Sequence, residues 1–226
     1  MNLTLNPESS HFLLNDERFT INLPGQYNVM NALAALAVCQ ALKIDLPAAG
    51  KRLTSIERVP GRFEKVNAGQ SWQVVIDYAP EPESIRRVYE TLELIPHKRI
   101  IHVLGSCGGG RDAARQPILG RLAGQNADLV VVTNEDPYDD DPEKIIDRII
   151  AGAEAVGKKL DQNLFRVVDR KEAILKAMQL AESEDIVLLT GKGCEPWMCV
   201  ANGKKIAWNE HEVAFQAIQQ VLKTKV

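Results

Sequence analysis

From Arg99 onward this sequence alternates short apolar runs with segments of helical patterning, and that alternation limits the available folds more than any other feature of the chain. Strands are predicted from near Arg99, Asp128, Leu164 and Asp185, with helices over Glu83–Leu94, Pro117–Gln125, Pro142–Val156 and Lys171–Ala181. Ile100 to Leu104 and Leu129 to Val132 carry almost no polar residue, as strands covered on both faces do. Helix and strand in strict turn imply parallel pairing with right-handed crossovers, hence an α/β chain with a mostly parallel sheet and flanking helices.

In an open parallel sheet, ligands bind outside the carboxyl ends of the strands. Asp185-Ile186-Val187-Leu188-Leu189 runs into Thr190-Gly191-Lys192-Gly193-Cys194-Glu195, which places one cation and one carboxylate among flexible residues. The run from Arg99 enters Gly105-Ser106-Cys107-Gly108-Gly109-Gly110-Arg111-Asp112, and the run ending at Thr133 enters Asn134-Glu135-Asp136-Pro137-Tyr138. Three strand ends therefore offer polar groups to one edge.

The remaining segments are less regular. Phe12–Leu14 and Phe19–Leu23 read as a hairpin, and an Ala-rich helix over Val29–Leu42 is apolar enough to predict burial on most faces. A short helix over Pro47–Ser55 has Asp45 near its cap. Arg58-Val59-Pro60-Gly61-Arg62 punctuates the chain, so a boundary is expected near residue 60, giving domains 1–60 and 61–226. Hairpins are predicted over Phe63–Ala68 with Trp72–Asp77, and over Val200–Ala207 on Asn202-Gly203; Glu210–Lys223 reads as a final helix. One hairpin and two helices bury too little surface to stand alone, so residues 1–60 read as the tail of a larger domain.

Composition excludes several classes. The chain has 226 residues, 45% hydrophobic and 25% charged, with a net charge of -3, which argues against broad electrostatic binding of nucleic acid. No apolar run approaches the roughly 20 residues of a membrane span, and Met1-Asn2-Leu3-Thr4 lacks the start of a signal peptide. A cytoplasmic location is expected, with Cys39, Cys107, Cys194 and Cys199 as reduced thiols; no C-x-x-C pair suggests a metal site.

Each polar group at the strand ends has an ordinary reading beside a functional one. The glycine-rich loop can bring backbone N–H groups to an anion, with Arg111 as a fork for carboxylate or phosphate, or can simply be a tight turn. Asp141 and Glu143 are explained by a helix starting at Pro142, whereas Glu135 and Asp136 are free either to meet a cation or to be solvated. Asp77, in Asp77-Tyr78-Ala79-Pro80, suits a ribose hydroxyl or a turn, and Lys192 and Glu195 suit a ligand or each other. No G-x-x-x-x-G-K-[ST] loop occurs anywhere in the chain.

Taken in order, Gly25-Gln26-Tyr27-Asn28-Val29-Met30-Asn31-Ala32, Val59-Pro60-Gly61-Arg62, Asp77-Tyr78-Ala79, the loop ending in Arg111-Asp112, Glu135-Asp136-Pro137 and Gly191-Lys192-Gly193-Cys194-Glu195 resemble the Mur ligase family. Within it they are most similar to the ligases that extend UDP-N-acetylmuramoyl-L-alanyl-D-glutamate to a tripeptide. The resemblance implies the tail of a central ATPase domain followed by a Rossmann-like C-terminal domain. It also implies ATP-dependent amide formation in peptidoglycan precursor synthesis, with Mg2+, through phosphorylation of a carboxylate and attack by an amino acid's amine. Asn28 and Asn31 match adenine-contacting positions, and Arg62 and Asp77 match ribose and phosphate contacts. Arg111, Gly191 and Glu195 match positions that grip the amino acid: Arg111 its carboxylate, the Gly191 carbonyl and Glu195 an ammonium, with Lys192 close by. Asp136 and Tyr138 join this amino-acid set.

The departures bear on specificity. Pro80 replaces the histidine of Asp-Tyr-Ala-His, Gly110 replaces the first aspartate of Gly-Gly-Asp-Arg-Asp, and Glu135-Asp136-Pro137-Tyr138 stands where diaminopimelate-adding members have Asp-Asn-Pro-Arg. Without that arginine the distal carboxylate of diaminopimelate loses a bidentate partner, so lysine or ornithine is expected instead, its terminal ammonium meeting Asp136 or Glu135. The sugar-binding domain, the phosphate loop and the Mg2+ ligands are expected upstream of Met1, with no catalytic residue in this chain and no ligase activity from it alone. Three readings stay open: a fragment of a working ligase, half of a split ligase that needs a partner chain, and a non-catalytic amino-acid-binding domain.

Overall fold

The computed structural model describes residues 2–224, which divide into two compact units. One contains the chain up to Val59 together with Arg86–Pro96; the other contains Pro60–Ile85 and the chain from His97 onward. The chain passes between them at Val59–Pro60, where Pro-Gly punctuates the sequence, and again at Ile85–Arg86 and Pro96–His97.

In the first unit, β1 (Leu3–Leu5), β2 (Ser10–Leu14) and β3 (Glu17–Ile21) form an antiparallel sheet in the order β1-β2-β3. Asn15 and Asp16 join β2 to β3 with φ of 52° and 64°, the left-handed pair that a two-residue hairpin turn requires. Three strands stand where two were expected, because Leu3-Thr4-Leu5 is too short for its alternation to register in the sequence. Two helices follow, α1 (Gln26–Ala41) and α2 (Leu46–Thr54), the second capped by the Asp45 carboxylate, which accepts the Ala48 N–H at 3.0 Å. Phe12 and Phe19 stack 5.6 Å apart and form a core with Ile21, Val29, Ala32 and Leu36. The expected burial of α1 on most faces does not hold. Only the stripe of Asn28, Val29, Ala32 and Leu36 is buried, while Met30 and Val38 are 55% and 59% exposed, since three short strands and one short helix cover a single face.

In the second unit, β4 (Glu64–Lys65) pairs antiparallel with β5 (Gln73–Asp77) at the edge of a six-stranded sheet. Then follow α3 (Pro82–Leu92), which begins in this unit and ends in the other, β6 (Ile100–Leu104), α4 (Arg115–Asn126), β7 (Leu129–Val132), α5 (Pro142–Glu154), β8 (Leu164–Arg166), α6 (Arg170–Leu180) and β9 (Ile186–Thr190). The order is β4-β5-β9-β6-β7-β8, and every pair from β5 to β8 is parallel. A hairpin, β10 (Trp197–Val200) with β11 (Lys204–Ala207), turns at Asn202 and Gly203, whose φ of 61° and 66° match the Asn-Gly signal; α7 (Glu210–Thr224) closes the unit. Every residue of β6 and β9 is buried. Caps fix where the helices after β7 and β8 begin: Asp141 accepts the Glu143 N–H at 3.0 Å and Asp169 the Glu172 N–H at 2.9 Å.

Candidate functional site

Strand register brings the polar strand ends level. Asp77 lies beside Thr190, Leu189 beside Val103, and Leu104 beside Val132, so the loops after β5, β9, β6 and β7 leave from one edge of the sheet. The backbone ties them further. Gly191 N–H donates to the Tyr78 carbonyl at 3.0 Å, and Gly108 N–H to the Asp136 carbonyl at 2.9 Å. Gly61, with φ of 65°, lies so close to the loop after β9 that a Cβ there would come within 2.2 Å of the Cys194 nitrogen.

Lys192 is the centre of this edge. Its side chain is fully buried, and its ammonium donates to both oxygens of Asp136 at 3.0 and 2.9 Å, to Glu195 Oε2 at 2.7 Å and to the Trp197 carbonyl at 2.8 Å. Asp136 Oδ1 also accepts the Cys199 N–H at 2.7 Å. Glu195 remains about a third exposed, and its other oxygen accepts the Tyr78 hydroxyl at 3.4 Å. Of the two carboxylate partners of Lys192, Glu195 therefore keeps an open edge and Asp136 does not.

Glu135 lies deeper, beneath Gly191. A Cβ on Gly191, whose φ is 105°, would come within 2.0 Å of Glu135 Oε2, so only glycine lets the backbone cross that carboxyl. Burial pushes Glu135 up to about 7, against the pull of Arg170 and with a further rise from Asp136, while Lys192 and Arg115 act downward. A carboxyl raised in the folded state adds stability below its ordinary 4.5, and that stability is lost as pH climbs through about 7. Unfolding of the native chain and of Glu135→Gln, compared from pH 4.5 to 8, is expected to show a fall of about 3 kcal/mol in the native chain that the variant lacks. Parallel pH profiles would contradict the assigned environment.

The glycine-rich loop is more committed to the fold than an anion cradle would be. Gly108 N–H is engaged by Asp136 and Gly109 N–H by Asp140 Oδ2 at 2.9 Å, and Gly109 packs on the Tyr138 ring. Arg111 is exposed and lies near enough to the Tyr138 hydroxyl to pull its pKa down. Tyr138 is held at φ of 52° by its N–H to the Cys199 carbonyl at 3.1 Å, and Cys199 is the largest cause of its raised pKa.

The positions matched to a nucleotide are distributed over both units. Asn28 is buried at the start of α1 and its amide donates to the Pro24 carbonyl at 2.7 Å, whereas Asn31 is exposed. Arg62 stacks over the Tyr78 ring at 4.6 Å. Asp77 is buried and its two oxygens accept the Phe63 and Ala79 N–H groups at 2.8 and 3.0 Å; burial outweighs these bonds and Arg62 and pushes it up to about 6. Its lone pairs serve the turn before they serve a ribose. Of these residues Asn31 is exposed, while Arg62 also donates to the Gly61 carbonyl at 3.0 Å. No group of three or more His, Cys, Asp or Glu among the described residues suits a metal ion.

Several residues at this edge carry no motif. Arg170, fully buried, donates to the Thr190 carbonyl at 2.7 Å and the Asn134 carbonyl at 3.4 Å, the peptides just before Gly191 and Glu135. Its charge is met by Glu210 at 2.5 Å, which also accepts the Trp208 indole N–H at 2.6 Å. His102 on β6 meets Thr190 Oγ1 at 2.9 Å; burial, then Arg170, holds it down at about 3, so it is neutral. Arg115 pairs with Glu81 and donates to Cys107 Sγ at 2.8 Å. A signal for Arg170 did exist: a cation in the first turn of a helix opposes the helix dipole and calls for a nearby anion.

Residues 61–193 match the family described as Mur ligase, glutamate ligase domain. The chain belongs to the Mur ligase family. A relative from Syntrophomonas wolfei subsp. wolfei, named UDP-N-acetylmuramoyl-L-alanyl-D-glutamate--2,6-diaminopimelate ligase, is 35% identical over 213 residues, 94% of this chain and 42% of the relative. One from Roseiflexus sp., named UDP-N-acetylmuramyl-tripeptide synthetase, is 39% identical over 204 residues, 89% of this chain and 39% of the relative. A solved diaminopimelate ligase of the first name superposes with a TM-score of 0.63 at 26% identity, covering 97% of this chain and 44% of that one. This Mur ligase chain thus spans about two-fifths of the length of the relatives it matches. Its mixed α/β architecture and mostly parallel sheet agree with the fold expected from the sequence, and no helix among the described residues is long and apolar enough to cross a membrane.

Proposed function

We propose that this chain supplies the amino-acid-binding part of an ATP-dependent ligase that joins a diamino acid to UDP-N-acetylmuramoyl-L-alanyl-D-glutamate. The observation that carries this reading is the charge at the sheet edge: Asp136 and Glu195 share the ammonium of Lys192, Glu195 stays about a third exposed, and Arg170 is already paired with Glu210. Such an edge suits an ammonium. At Tyr138 it lacks the guanidinium fork that a distal carboxylate would need, so lysine or ornithine is favoured over meso-diaminopimelate. Arg111, exposed and near Tyr138, takes the amino acid's carboxylate in this reading.

ATP would supply the phosphate that activates the acceptor carboxylate, with Asn28, Asn31, Arg62 and Asp77 on the nucleotide side and Mg2+ held outside these residues. The 226 residues contain no G-x-x-x-x-G-K-[ST] loop, so activation of the carboxylate is assigned to other parts of the protein, in the same chain or another, and the isolated chain is expected to bind without forming the amide. Calorimetric titration of the 226-residue chain with lysine, ornithine and meso-diaminopimelate tests the reading. Lysine or ornithine is expected to bind at least about tenfold more tightly, the equivalent of about 1.4 kcal/mol. Tighter binding of diaminopimelate would overturn the specificity, and binding of none of the three would overturn the amino-acid site.

A further inference from the structure

The geometry points to an ammonium seat, formed by Asp136, one oxygen of Glu195 and the Trp197 carbonyl, that Lys192 fills from within the chain; Lys192 is thereby a positioning residue, and Glu195 alone is left to meet a ligand's ammonium. This rests on the amino-acid reading of the same edge.

The three N–H groups of Lys192 face four acceptors: both oxygens of Asp136, Glu195 Oε2 and the Trp197 carbonyl. Sharing across the Asp136 carboxylate satisfies all of them. No proton of the lysine is left to donate to a ligand, and with the Cys199 N–H on Oδ1 little of Asp136 is left to accept from one. A primary ammonium is the one side-chain group with this donor set, since a guanidinium is planar and forked. The stem belongs to the seat as well: the Lys192 side chain is fully buried, so the charge reaches Asp136 through protein rather than through solvent.

Consequences for the site follow from this saturation. A buried carboxylate stripped of its cation is unfavourable, so Asp136 and Lys192 hold each other in place. Asp136 belongs to the loop after β7 and Lys192 to the loop after β9, two strands separated by β6, so the pair joins loops that are not neighbours in the sheet. Lys192 also fixes Glu195 by one oxygen and leaves the other, beside the Tyr78 hydroxyl, at the exposed side. Negative charge is thus concentrated at Glu195 and withheld at Asp136, which makes Lys192 a determinant of where along the edge an amino acid's ammonium docks.

Removing the stem makes the seat accessible to free amines. Lys192→Ala in the 226-residue chain is followed by chemical unfolding in propylammonium chloride, with sodium chloride and tetramethylammonium chloride at equal ionic strength as controls. Propylammonium at ten times its dissociation constant is expected to raise the folding constant about elevenfold by mass action. The two controls, and the double variant Asp136→Asn with Lys192→Ala, are expected to show no such rise. Equal responses to propylammonium and sodium would overturn the seat. If the alanine variant does not fold, 15N NMR of the native chain decides: a slowly exchanging lysine Nζ signal, lost in Lys192→Met and shifted in Asp136→Asn, is expected, and its absence overturns the proposal. Neither readout uses amino-acid binding, so failure here leaves the proposed function standing, and failure of the titration with lysine leaves the seat standing.

Discussion

Glu210→Ala is expected to lower the unfolding free energy by about 3 to 5 kcal/mol, the cost of leaving one member of a buried ion pair without the other. Both side chains of the Arg170–Glu210 pair are fully buried. Glu210 stands in the first turn of α7, where the helix dipole already favours an anion, and it accepts from Arg170 and from the Trp208 indole at once. Alanine leaves the guanidinium with only the Thr190 and Asn134 carbonyls, and leaves the indole N–H without its acceptor. Denaturant unfolding of the single variant checks the magnitude. The double variant Arg170→Met with Glu210→Leu separates pairing from packing: it is expected to recover most of the loss, because two apolar groups of similar volume leave no charge stranded. A loss below about 1 kcal/mol for Glu210→Ala would mean that the pair is open to water.

Arg170 also shows why part of this site was hidden in the sequence. The strand ends were legible because Gly191-Lys192-Gly193 and Glu135-Asp136-Pro137 stand immediately after apolar runs, and the alternation of runs and helices follows directly from burial of a parallel sheet. Asp141 and Asn202-Gly203 were legible for a local reason, since a cap and a tight turn depend on residues two or three positions away. Of the partners of Lys192, Glu195 is three residues away and its pairing was open to the sequence, but Asp136 lies 56 residues away, and nothing in either loop says that the lysine turns inward rather than toward a ligand. Glu210 lies 40 residues from Arg170 for the same reason. The helix α1 misled in the opposite sense. Its composition reports how apolar each face is, not how much of the chain is there to cover it, and Met30 and Val38 remain exposed.

Gly120→Ala is expected to destabilise the chain by about 3 kcal/mol, although the same change in an ordinary exposed helix stabilises by roughly 0.5 to 1 kcal/mol. The sign reverses because α4 and α5 approach each other through glycine. A Cβ on Gly120 would lie 1.8 Å from the Ile149 carbonyl oxygen, and a Cβ on Gly152 of the facing helix would lie 2.0 Å from the Pro117 carbonyl oxygen. Backbone cannot rotate away as a side chain can, so the helices must separate by an ångström or more and lose packing along their contact. Gly124→Ala is the control. Its Cβ would meet the end of the Val156 side chain at 2.6 Å, and its cost is expected to be smaller than that of Gly120→Ala because a side-chain terminus yields more readily. The effect reaches the site, since α4 follows the loop that carries Arg111 and α5 follows the loop that carries Glu135, Asp136 and Tyr138. Widening the helix pair pulls on the bonds that join those loops, Gly108 N–H to the Asp136 carbonyl and Gly109 N–H to Asp140. Hydrogen exchange at Gly108 and Gly109 is therefore expected to quicken in Gly120→Ala beyond what the loss of global stability accounts for, and unchanged relative protection there would show that the loops are held independently of the helices that follow them.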